Sequence, residues 1–160
     1  MAEQEVSPSD RIASAFADLI PVAKTLRTAD GAVLIPVSIL EADLNRLNLG
    51  VAAWTFVSQA EEPNGDFEDW SVGYARHQGR WGLLVKFEAG NRRDIGMSSD
   101  DIWFFSDAPR FIRSKAIDGL PKLIEALVKV SRKTAERLNN KVHDAKALQV
   151  AVRAIAAEKK

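Results

Sequence analysis

Apolar residues recur at helical spacing near both ends of the chain and at alternate positions through its middle. Near the start, Ile12, Phe16, Leu19, Ala23 and Leu26 are spaced by four and three, which predicts one apolar stripe on a helix. Ser7-Pro8-Ser9-Asp10 offers its N-cap. Pro21 is expected to kink or split this helix, and Asp30-Gly31 to end it. Val37, Leu40, Leu44 and Leu47 form a second stripe, predicting a short helix over residues 36–48 with Gly50 just past its end.

The period then changes to two. Residues 51–58 are rich in β-branched and aromatic side chains and read as a strand. Residues 61–66 are an acidic turn. Residues 70–77 and 80–88 alternate on either side of Gln78-Gly79, which predicts a β-hairpin with a two-residue turn. A charged loop follows over residues 89–94, and residues 101–105 read as a fourth strand covered on both faces.

The hairpin register follows from its turn. With His77 opposite Arg80, Arg76 meets Trp81, Tyr74 meets Leu83, Val72 meets Val85 and Trp70 meets Phe87, all on one bulky face. This face should pack against helices and form most of the core, and the Arg76–Trp81 pair at its end allows a cation–π contact. The other face is small around Gly73, Ala75 and Gly82. It suits either close packing of a helix or a shallow ligand platform rimmed by His77, Arg80 and Lys86.

Helical spacing returns at the C-terminus. Ser106 or Asp107 caps a helix with Pro109 in its first turn, and Gly119 and Pro121 are expected to punctuate it. A last helix over residues 121–157 carries a stripe through Leu127, Val130, Thr134, Leu138, Val142, Ala145, Leu148, Val152 and Ile155. Its spacing resembles heptads, weakened by Thr134 and Lys141. About 37 residues at 1.5 Å each span roughly 55 Å, more than the roughly 40 Å diameter of a compact domain of this size. If the helix is unbroken, part of it must project and its stripe needs a partner, the first helix or another copy of this helix; Leu138, Val142, Ala145, Leu148, Val152 and Ile155 are its expected oligomer interface.

The expected fold is therefore α+β: two N-terminal helices, a four-stranded antiparallel meander, and two C-terminal helices, the last long and coiled-coil-like. Residues 1–120 form the α+β body. Residues 121–160 form a basic helix of the same structural unit, available as an oligomerisation arm.

Charge and composition sharpen this picture. The 160 residues are neutral overall, but residues 1–120 carry 12 Lys and Arg against 18 Asp and Glu, while residues 121–160 carry 10 against 4. Such a split suits self-complementary association or an anionic partner. There is no cysteine, so disulfides and thiolate metal sites are excluded. The first ten residues lack the apolar core of a signal peptide, no stretch approaches the roughly 20 apolar residues of a membrane span, and the protein is expected in the cytoplasm without membrane contact.

Candidate chemistry is sparse. His77 and His143 have no partner at metal-ligand spacing, the acids between Glu61 and Asp69 do not follow a calcium-loop order, and no nucleophile elbow or phosphate loop occurs. No catalytic residue, metal or cofactor is expected. Arg92 and Arg93 could converge with Arg76 and Arg80 on a phosphate or carboxylate, with His77 nearby. Arg110 and Arg113 lie one turn apart near a helix start, placed either to pair with Asp107 or Asp118 or to face a ligand. The leading expectation is a non-enzymatic interaction or adaptor module that self-associates through its helices and binds a macromolecular partner. The alternatives are a binder of a small anionic ligand such as a nucleotide, and nucleic-acid binding through the basic last helix.

Overall fold

The structure is a computed structural model. It describes residues 7–158, and the side chains of all of these except 8, 95–97 and 155–158. Helix α1 (Pro8–Leu47) precedes four strands, β1 (Ala53–Glu61), β2 (Asp66–His77), β3 (Arg80–Asn91) and β4 (Asp94–Phe104), and helix α2 (Arg110–Glu158) closes the chain. The strands form one antiparallel sheet in the order β1-β2-β3-β4. The class is α+β with a four-stranded meander, and the described helices number two, not four.

Both missing breaks have a local explanation. Gly31 keeps a backbone conformation outside the left-handed region, so α1 runs through Asp30-Gly31 rather than stopping there. Pro21 and Pro36 also lie inside α1. Each proline frees the carbonyl four residues earlier, on Ala17 and Ala32, and both of these residues are exposed, so water can take up the freed groups. The helix ends where Asn48 (φ 46°) and Gly50 (φ 64°) turn left-handed, with the Asn48 amide donating to the Asn45 carbonyl at 3.1 Å. At the other end the Asp10 amide donates to Ser7 Oγ at 3.3 Å, as the N-cap reading expects.

By internal packing the chain divides between Asp43 and Leu44. In the first unit, residues 9–29 of α1 are exposed throughout. The second unit holds the sheet and all of α2.

The central hairpin has the register that its turn implies, with His77 opposite Arg80 and Trp70 opposite Phe87. Gln78 (φ 48°) and Gly79 (φ 84°) are both left-handed, the turn geometry that matches strand twist. Residues 89–94 are not a loop: β3 and β4 pair through Asn91 and Asp94 across Arg92-Arg93, making another two-residue hairpin. Ile102 and Trp103 on β4 are half-buried, while Phe104 and Phe105 are buried.

Helix α2 lies on the bulky face. Ile112, Ala116, Gly119, Leu123 and Leu127 are its buried positions, spaced by four and three. Beneath them are Val72, Tyr74, Leu83 and Val85, all nearly inaccessible. Each leucine buried in this way contributes about 1.5–3 kcal/mol. Trp70 stacks on Phe87 with ring centroids 4.1 Å apart and meets Phe111 of α2 edge-on at 6.0 Å. Gly119 does not punctuate the helix: a Cβ there would come within 2.7 Å of Val57 and Val72, so glycine lets α2 approach the sheet. Pro121 sits on the exposed side and the helix continues past it.

A β-bulge between Phe56 and Ser58 shifts the register of β1. It leaves Phe56 on the small face while Val57 meets Gly119 on the helix face. No described helix is long and apolar enough to cross a membrane.

Candidate functional site

The arginines named from the sequence stand at opposite ends of the central hairpin. Arg76, His77 and Arg80 flank its turn, whereas Arg92 and Arg93 form the β3–β4 turn. Eleven strand residues separate the two ends, roughly 36 Å. They do not converge on one anion.

Each group has local partners. At the first end, Arg76 Nε donates to the Gly79 carbonyl at 3.3 Å. The Arg80 guanidinium lies 3.6 Å from the Phe104 ring centre, and His77 meets the same ring edge-on at 5.4 Å. Tyr74 stacks on Trp81 at 5.4 Å. At the far end, Arg92 donates to Glu61 Oε2 and Asp69 Oδ2, both at 3.3 Å, and its guanidinium lies 4.5 Å from the Phe67 ring centre. The Arg92 amide donates to the Gly65 carbonyl at 2.8 Å, and Arg93 Nη2 to the Pro63 carbonyl at 3.0 Å. Asn91 Nδ2 adds a 2.7 Å bond to Asp66. Arg92 and Arg93 thus tie the β1–β2 turn to the β3–β4 turn.

Arg113 has a comparable role, donating to the carbonyls of Ser106 at 3.0 Å and Ala108 at 2.8 Å, and so closing the connection into α2. Among the described residues no group of His, Cys, Asp or Glu could hold a metal ion.

The small sheet face has a different character from either sequence alternative. Helix α2 is on the opposite face, and the space above Gly73 is filled by the indole of its cross-strand neighbour Trp54. Two cross-strand rows organise this face. One runs Trp54, Gly73, Leu84, Phe104; the next runs Phe56, Ser71, Lys86, Ile102. Trp54 is 38% exposed and Phe56 63% exposed. With Ser71, Lys86, Glu88 and Ile102 they line a shallow groove of about 370 Å³. Lys86 Nζ and Glu88 Oε1 in its lining form a 2.7 Å ion pair. The next cross-strand row aligns Asp69, Glu88 and Asp100, with Asp69 buried and paired with Arg92 and Glu88 paired with Lys86.

Sequence reasoning missed Trp54 and Phe56 as surface residues. The available signal was an aromatic strand beside a strand whose small face carries a central glycine.

The expected oligomer interface lies on the second half of α2. Every described side chain from 135 to 154 is exposed, including Leu138, Val142, Ala145, Leu148 and Val152, with Leu138 at 61% and Leu148 at 69%. Ile155 belongs to the helix, but its side chain lies outside the described ones. On α1, Ile12, Phe16, Leu19, Ile20 and Leu26 are likewise exposed. Their repeat continues through Asp30 and Val33 to Val37, Leu40, Leu44 and Leu47, so the two stripes seen in the sequence are one.

Comparisons with protein families, curated proteins and solved structures find no match to this chain.

Proposed function

We propose that this chain is a non-enzymatic cytoplasmic interaction module that self-associates through its helices and binds a macromolecular partner. The observation that carries the reading is the second half of α2, which keeps an apolar stripe while leaving the sheet behind. Exposed apolar surface is unfavourable in water, and a docked partner removes it. The stripe on α1 supports the second half of the reading, because a three-four apolar repeat suits a helix of the same repeat on a protein partner. The cysteine-free sequence fits a reducing compartment.

Light scattering coupled to size exclusion tests the self-association. The expected mass is a multiple of 17.6 kDa at micromolar concentration, falling on dilution. A single 17.6 kDa species throughout that range overturns the reading.

A further inference from the structure

We propose that the groove on the small sheet face, lined by Trp54, Phe56 and Ile102, is the seat for the second half of α2 from another copy of this chain. The inference rests on the self-association reading above and names where the tail docks.

The groove and the tail lack a cover for complementary reasons. An antiparallel sheet that takes its helix on one face usually shows polar side chains on the other. Here α2 covers only the bulky face, and the aromatic side chains Trp54 and Phe56 remain open on the other. The chain also carries a helix segment with an uncovered apolar stripe. At about 3.6 residues per turn, Leu138, Val142, Ala145 and Val152 fall on one line, with Leu148 at its edge. The dimensions agree. From Phe56 on β1 to Ile102 on β4 is three strand spacings, about 14 Å, and the ten residues from Leu138 to Leu148 span about 15 Å.

Charge agrees as well. Arg137 and Lys141 lie along one side of the tail stripe, and Lys146 and Arg153 along the other. The row bordering the groove presents the exposed carboxylate of Asp100, while Asp69 and Glu88 in the same row already pair with Arg92 and Lys86. On the larger scale the body is net acidic and the C-terminal 40 residues net basic. Opposite fields of this kind orient an encounter and fix its register.

Continuity of α2 requires the tail to come from a second copy. The helix is unbroken from Arg110 to Glu158, and its first half is fixed to the bulky face through Gly119, Leu123 and Leu127. A tail continuing along the same axis cannot fold back to the opposite face of its own sheet. Two copies that exchange tails about a two-fold axis fill both grooves and close the assembly.

The test uses the full chain and its freedom from cysteine. Phe56→Glu and Leu148→Glu each substitute an exposed residue, so the monomer fold should persist by circular dichroism. The expected result is at least a tenfold rise in the self-association constant for dissociation in each variant, read by sedimentation. Mixing Phe56→Cys chains with Val142→Cys chains under oxidation should give a crosslinked heterodimer. If the wild type associates and Leu148→Glu dissociates it while Phe56→Glu does not, the tail docks elsewhere and this inference fails, with the function reading intact. Crosslinking of Val142→Cys chains only to each other has the same meaning. A wild type that stays monomeric removes both.

Discussion

The indole of Trp54 on β1 lies over Gly73 on β2, taking the space a side chain would fill at the centre of the small sheet face. The pairing explains why a glycine is tolerated in the middle of a strand: the neighbouring ring supplies the packing that glycine lacks. Gly73→Ala puts a methyl group into that ring and forces Trp54 outward. The expected cost is about 1–3 kcal/mol in urea denaturation, together with a red shift of tryptophan emission.

Gly119→Ala should also destabilise, although alanine is the better helix former. The new methyl group meets Val57 and Val72 at 2.7 Å. Overpacking of this kind costs about 1–3 kcal/mol, against roughly 1 kcal/mol gained in helix propensity. A lowered urea midpoint at unchanged slope is the expected readout.

Gly31→Ala should do the opposite. The position is helical and nothing lies within 4 Å of the added Cβ. Only the backbone entropy of the unfolded chain changes, by about 0.5–1 kcal/mol in favour of the fold. Higher helical ellipticity and a raised melting temperature are the measurements that check it.

Arg92→Ala removes the cation beside Asp69, which is only 7% exposed. A buried carboxylate left without its partner should cost about 1–3 kcal/mol. Arg93→Ala removes a bond to the Pro63 carbonyl at an exposed turn and should cost less. Paired denaturation curves of the two variants separate a structural tie from a ligand site: a stable Arg92→Ala chain would contradict the tie.

How much of this was legible in the sequence varied with the range of the interaction. The register of the central hairpin followed from one glycine and the alternation beside it, because a two-residue turn leaves no freedom in pairing. The helix count was misread at Asp30-Gly31, Gly119 and Pro121. Each is a local signal for a break, and each was overridden in a longer helix, at Gly119 by close contact with the sheet. The repeat itself held the correction, since Val33 continues the spacing of Leu26 into Val37. The fates of Arg92 and Arg93 were not legible. They depend on two turns, near residues 64 and 92, being brought together by a meander whose strand lengths match.

The two outer strands of the sheet are guarded in different ways. Strand β1 is bent by its bulge at Phe56/Ser58, and β4 carries Asp94, Asp100 and Asp101. Kinked or charged borders resist the addition of a further strand from another molecule. In the folded chain, growth of this sheet by strand-to-strand addition is therefore disfavoured at both borders.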